Sequence, residues 1–202
     1  IQRNEISVLN ESERKNLQNH LVNNLNNTNI GILLTMYSGM RIGEICALKW
    51  SDIDLQSGII RISKTVQRIN DKIGNSKTKI IVGSPKSRTS EREIPIPNFL
   101  VNILNERRQN ENNYILSGTH KLIEPRTMQN RFKSVLKKCG IRNVNFHLLR
   151  HTYATVCIEN GFDAKTVSEL LGHSNVNITL NHYVHSSLDT KKKYVEKLNF
   201  VA

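Results

Sequence analysis

The chain has 202 residues, 29 Lys+Arg against 17 Asp+Glu, a formal net charge of +12 and 38% hydrophobic residues. That length suits one large domain able to bury a core without disulfides or metals, and the apolar fraction is too high and too periodic for disorder. No run approaches the roughly 18 apolar residues of a membrane span. Cys46, Cys139 and Cys157 form no CxxC pair and no even-numbered framework, so reduced thiols in a cytosol are expected. The polar start, Ile1-Gln2-Arg3-Asn4-Glu5, has no signal-peptide core, and its lack of an initiator Met suggests part of a longer protein.

Asn10 followed by Glu13 is a capping-box pattern that opens a helix reaching about residue 26. Thr28 is expected to cap an apolar helix over 29–37 that Gly39 ends. A short helix follows over 42–48. After the turn at Ser57-Gly58, residues 59–63 read as a strand, extendable through 65–69; 79–82 and 92–96 are two more. The polar turn from Gly83 to Ser90 separates those last two, and together they suggest a small three-stranded antiparallel sheet. Pro97 then opens a helix over 98–109. A basic helix over 126–138 stops at Gly140, and helices over 147–159 and 164–171 end at Gly161 and Gly172. Short helices over 178–182 and 187–198 complete the chain. Helices, a small sheet, then helices again predict a mostly helical α+β fold in one domain over 1–202.

The positive charge is uneven. Residues 1–58 carry 5 basic and 6 acidic side chains, 59–96 carry 9 and 3, and 121–142 carry 7 basic against Glu124 alone. Two blocks of net +6 around a nearly neutral 97–120 suit two jaws on a phosphate backbone. Arg126, Arg131, Lys133, Lys137 and Lys138 on the helix 126–138 are the expected DNA contacts.

Several polar groups sit awkwardly for packing alone. Arg41 follows a helix-breaking Ser38-Gly39-Met40; His147, Arg150 and His151 open a helix that turns apolar; His173 follows Leu170-Leu171-Gly172; Lys86 is at a turn tip; and Tyr183 lies in Asn181-His182-Tyr183-Val184. Each alone has a plain structural account, such as a C-terminal helix cap for His173. His147 and His151 have the i, i+4 spacing of metal ligands, but Leu148-Leu149-Arg150 between them offers no carboxylate and a guanidinium repels a cation, so neither metal nor cofactor is expected. Together the set answers one chemical need. Two arginines, a lysine and two histidines provide donors and positive charge for a phosphodiester whose equatorial oxygens gain charge in the transition state. Tyr183 is the candidate nucleophile; a phenol with an ordinary pKa of about 10 needs a base or a cationic pocket. The leaving 5′ oxygen needs a proton, which Lys86 or a histidine can give.

The order of these residues resembles the tyrosine recombinases, the phage-integrase family. Thr35 to Ile45 looks like the T-x-x-x-G-x-R-x-x-E box, and Leu48-Lys49-Trp50-Ser51-Asp52-Ile53-Asp54 its usual continuation. His147-Leu148-Leu149-Arg150-His151-Thr152-Tyr153-Ala154-Thr155 resembles H-x-L-R-H-T-x-A-T; Leu170-Leu171-Gly172-His173 resembles L-L-G-H, with Tyr183 ten residues on. Pro85-Lys86-Ser87 before Arg92-Glu93-Ile94-Pro95-Ile96 resembles the hairpin bearing the family lysine, Lys79 and Arg88 being the alternatives. The resemblance implies that Arg41 and Arg150 clamp the scissile phosphate. His147 and His173 would bond its non-bridging oxygens, His147 also being a candidate base. Lys86 would protonate the 5′ oxygen, and Tyr183 would form a 3′-phosphotyrosine bond. It gives His151 a packing role and Glu44 the orientation of Arg41 or of local backbone. It also implies a catalytic domain acting on double-stranded DNA as a homo-oligomer, a tetramer at synapsis, in the cytoplasm on a bacterial nucleoid. A core-binding domain would precede Ile1–Val8, and residues 187–202 would dock on a neighbouring protomer. The other readings are a type IB topoisomerase, which shares the tyrosine chemistry, and a basic DNA-binding module without chemistry.

Overall fold

The computed structural model describes residues 7–71, 77–84, 88–183, 192 and 195–196. Helix α1 (Glu11–Asn23) opens on the expected capping box: Glu13 N–H donates to Asn10 Oδ1 at 2.8 Å, and Asn10 N–H to Glu13 Oε2 at 3.0 Å. Helix α2 (Asn27–Ser38) begins before Thr28, because Asn26 is the cap and accepts from Asn29 N–H at 3.0 Å. Asn caps at least as well as Thr, and the Thr28 hydroxyl instead accepts from Arg131 Nη1 at 3.1 Å. Ile30, Ile32, Leu33 and Leu34 bury α2 on nearly every side, as its apolar run requires of a central helix. The Thr35 and Ser38 hydroxyls are equally buried and donate back to Gly31 O and Leu34 O, so they cost the core no unpaired donor. Helix α3 (Ile42–Ala47) follows at once.

The strands pair differently from the expected sheet. A three-stranded antiparallel sheet is present, but it consists of β1 (Ile53–Asp54), β2 (Ile59–Ile62) and β5 (Arg92–Pro95) in the order β1-β2-β5. Strand β4 (Thr78–Gly83) pairs instead with β3 (Thr65–Asn70) as a separate antiparallel hairpin, Val66 opposite Val82. Burial explains the choice. Ile60 faces Ile94 across β2 and β5, and both are fully buried. In β4, Ile81 and Val82 stay exposed and Ile80 is only partly buried against the core, so that strand has no fully buried residue to match Ile94. Arg68 anchors the hairpin by donating to Glu124 Oε2 at 2.6 Å.

The second half is helical: α4 (Asn98–Asn105), shorter than expected, then α5 (Pro125–Lys138), α6 (His147–Glu159), α7 (Ala164–Leu171) and α8 (Val176–Tyr183). Met128, Phe132, Val135 and Leu136 bury one face of α5. Arg126, Lys133 and Lys137, spaced seven and four apart, form an exposed stripe on the other. Among the described residues no helix is long and apolar enough to cross a membrane. The three cysteines are unpaired and buried, and burial pushes the Cys46 thiol up to about 12. The lysine at 86, and the expected helix over 187–198 apart from 192 and 195–196, lie outside the described residues.

Candidate active site

The site is assembled at two helix ends. Helix α2 ends at Gly39 and α7 at Gly172, with φ of 63° and 64°, the left-handed turn that Gly adopts without strain. Side chains would not fit there in any case. A Cβ on Gly39 would lie 2.7 Å from Leu171, and one on Gly172 would lie 2.9 Å from the carbonyl oxygen of Thr89. Helices that end this way leave carbonyls without partners and a negative dipole end. Three arginines use them. Leu170 O accepts from Arg92 Nε at 2.6 Å, Leu171 O from Arg150 Nη2 at 2.7 Å, and Gly172 O from Arg41 Nη2 at 3.0 Å. Arg150 also donates from Nη1 to Gly39 O at 3.0 Å, so its guanidinium joins the ends of α2 and α7.

One carboxylate balances this cluster. Glu44, 2% exposed, sits at the third position of α3. It accepts from the backbone N–H and Nη1 of Arg41, both at 2.8 Å, and from Nη1 and Nη2 of Arg92 at 3.1 and 2.9 Å. Burial alone would raise its pKa; the Arg92 and Arg41 donors outweigh that and hold the carboxyl below its usual range. Arg150 is drawn down to about 9, first by burial and then by the Arg41 charge, and is still cationic at neutral pH. Three guanidiniums against one carboxylate leave a surplus of positive charge, and Arg41, with its side chain 36% exposed, brings that charge to the surface.

Helix α6 contributes the imidazoles. Asn145 Oδ1 accepts from Leu148 N–H and Gln129 Oε1 from Phe146 N–H, which fixes the helix start and puts His147 at its first position. His147, Arg150 and His151 then share one face through i, i+3 and i, i+4 spacing. The His147 and His151 rings meet edge to face, centroids 4.6 Å apart. His151 Nδ1 lies 2.5 Å from the Tyr183 hydroxyl on α8. His173, just past α7, meets the buried Thr179 hydroxyl through Nδ1 at 2.9 Å, which orients its ring.

Every ring here is held towards neutrality. His151 and His173 fall to about 4, first through burial and then through neighbouring positive charge: His147 and Arg150 for His151, Arg150 and Arg41 for His173. His147 is lowered by surrounding protein, then by Arg150 and Arg41. Burial raises the Tyr183 hydroxyl, with Arg150 opposing, so the phenol keeps its proton at neutral pH. On unfolding, His151 and His173 regain the ordinary value of 6.5 and bind protons that the native chain refuses down to about 4. Acid therefore favours the unfolded chain in that window. Thermal melts should show stability rising with pH between about 4 and 6.5, with a shallower slope in His173→Asn.

Of the expected site residues, the structure gathers Arg41, His147, Arg150, His173 and Tyr183 around the ends of α2 and α7. Arg131 is turned onto α2 through Thr28. The residues missed by sequence reasoning are Arg92, Thr179 and a partner role for His151. Arg92 had a signal in Arg92-Glu93-Ile94-Pro95, a charge opening a strand. His151 had one in its place beside Arg150 and one turn from His147. Thr179 had none.

Residues 7–189 match the model of the phage integrase family, and the chain belongs to that family. It is 36% identical over 186 residues to a tyrosine recombinase XerC-like protein of Caldanaerobacter subterraneus subsp. tengcongensis, covering 83% of this chain and 48% of that one. Among solved structures it is similar to the Tn1549 transposon integrase in complex with a circular intermediate DNA, with TM-score 0.77 and 20% identity over 98% of this chain and 67% of that one. It is also similar to the catalytic domain of bacteriophage HP1 integrase, with TM-score 0.61 and 19% identity over 94% and 95% of the two chains. The mostly helical α+β fold is thus that of recombinase catalytic domains. The chain spans about half the length of the curated relatives it matches.

Proposed function

We propose that the chain is the catalytic domain of a site-specific DNA recombinase that breaks and rejoins strands through a 3′-phosphotyrosine. The observation that carries this reading is the charge at the end of α7, where Arg41, Arg92 and Arg150 face the single carboxylate of Glu44 beside a Tyr183–His151 pair. A phosphodiester at this site meets the free N–H groups of Arg41, with the positive charge of the buried Arg150 guanidinium beneath it. It also meets the Nε2–H of His173, the tautomer in which Thr179 donates to Nδ1. Tyr183 Oη attacks phosphorus, the Oη–P bond forms and the P–O5′ bond breaks. The 5′ oxygen leaves as a hydroxyl with a proton from Lys86. Attack by the 5′ hydroxyl of a second strand reverses these steps, so the phosphodiester energy is kept and no ATP is spent. Duplex DNA is the substrate, and exchange of two pairs of strands calls for four protomers. The stripe of Arg126, Lys133 and Lys137, with Lys138 beside it, follows the phosphate backbone.

The test is covalent trapping on a nicked suicide duplex bearing the crossover site, with the complete gene product. A detergent-resistant adduct mapping to the Tyr183 peptide is expected from the native protein and none from Tyr183→Phe. Relaxation of supercoiled DNA without site preference would point instead to the type IB topoisomerase reading.

A further inference from the structure

We infer that His151, through Nδ1, is the general base that takes the Tyr183 phenolic proton during strand cleavage. This rests on the reading of Tyr183 as nucleophile and assigns a residue that the motif comparison left to packing.

The geometry carries it. A base must reach the proton it removes, about 2.6–3.2 Å between heavy atoms or somewhat closer. His151 Nδ1 is 2.5 Å from Tyr183 Oη, and it is the one hydrogen-bond partner of that hydroxyl among the described residues. His147, the other candidate, contacts the His151 ring edge to face at 4.6 Å. The pair is also sheltered, Tyr183 being 8% exposed. The titratable and charged groups around His151 are His147 and Arg150 on its own helix and His182 and Tyr183 on α8. All but Tyr183 disfavour a second proton on the ring, which keeps the imidazole neutral and Nδ1 open to accept.

The proton inventory closes. Before attack, Tyr183 Oη–H donates to Nδ1 and the ring keeps its own proton on Nε2. Burial holds the phenol un-ionised, so no phenolate forms in advance. As the Oη–P bond forms, the hydroxyl becomes strongly acidic and its proton passes to Nδ1. The negative charge building on the phosphate lies close to the new imidazolium and offsets its cost. On rejoining, the imidazolium returns the proton to Oη as that oxygen leaves. His151 acts on the nucleophile and Lys86 on the leaving group, so the two roles separate experimentally.

The test uses the complete gene product on a nicked suicide duplex in two forms, one with the natural 5′ oxygen and one with a bridging 5′ sulfur that leaves without a proton. His151→Asn keeps an amide at the Nδ1 position, so it can hold the tyrosine but not take its proton. We expect His151→Asn to cleave about 10²–10⁴-fold more slowly than the native protein. It should be equally impaired on the sulfur substrate, with a rate that climbs with pH as solvent base takes over. A native rate for His151→Asn on the oxygen substrate, or its full rescue by sulfur, overturns the inference. A measurement on the native protein needs no variant. With sulfur leaving, the base proton is the one in flight, so cleavage should slow in D2O, and a solvent isotope effect of unity overturns the inference. Tyr183→Phe runs alongside. An adduct from that variant removes the nucleophile reading itself, whereas an inert Tyr183→Phe beside a fully active His151→Asn removes only the base.

Discussion

Replacing Arg41 by Ala should lower strand cleavage by about 10³–10⁵-fold, the range by which an arginine speeds phosphoryl transfer, while the protein stays folded. Both halves of that result come from how Arg41 is held. Its side chain is 36% exposed and two of its five donors are used, Nη1 on Glu44 and Nη2 on Gly172 O. The rest can meet a ligand. When Arg41 is lost, Glu44 keeps both Arg92 bonds, so the carboxylate still has a counter-charge. Arg150 behaves differently. It is 2% exposed, and both terminal nitrogens are tied to the ends of α2 and α7. Arg150→Ala would strand two buried carbonyls and lose stability together with activity. Single-turnover cleavage measured beside a thermal melt separates the cases. Arg41→Ala with cleavage within tenfold of native would remove Arg41 from the phosphate.

The contrast marks what could be read from the chain. The helices were visible because their signals are local: the Asn10–Glu13 box, the apolar run of α2, and glycines at 39 and 172 in left-handed turns. His147, Arg150 and His151 share a face by spacing alone. The pairing of β5 with β2 and not with β4 was not local, since it depends on which strand can bury a face over the core. The same holds for the site. Motifs at 41, 150 and 173 mark the arginines and the histidine, but no periodicity shows that carbonyls 170, 171 and 172 each accept from a different arginine. Nor does it show that His151 meets a tyrosine 32 residues away. Long-range polar contacts of this kind are set by the packing of α6, α7 and α8 and leave no repeat in the sequence.

Glu44 is where those contacts converge, and Glu44→Ala should be the most damaging single change outside the apolar core. Its side chain is 1% exposed and that of Arg92 6%, so their bidentate pair is shielded from solvent. A buried pair adds little net stability compared with apolar packing, but deleting one partner strands the other charge and costs about 3–5 kcal/mol. Here the stranded group is Arg92, which would keep its bonds to Leu170 O and Ser90 O with no counter-charge. Arg41 would lose its brace as well, including the carboxylate that accepts its backbone N–H at the start of α3. For a chain of this size the loss corresponds to a fall in melting temperature of roughly 6–20 °C. The double variant Glu44→Ala with Arg92→Met removes the stranded charge and should recover part of that fall. Its cleavage should stay low, because Arg41 is still unbraced. A Glu44→Ala protein melting within 2–3 °C of native, an error of about 1 kcal/mol, would mean that the carboxylate is not the counter-charge on which the cluster depends.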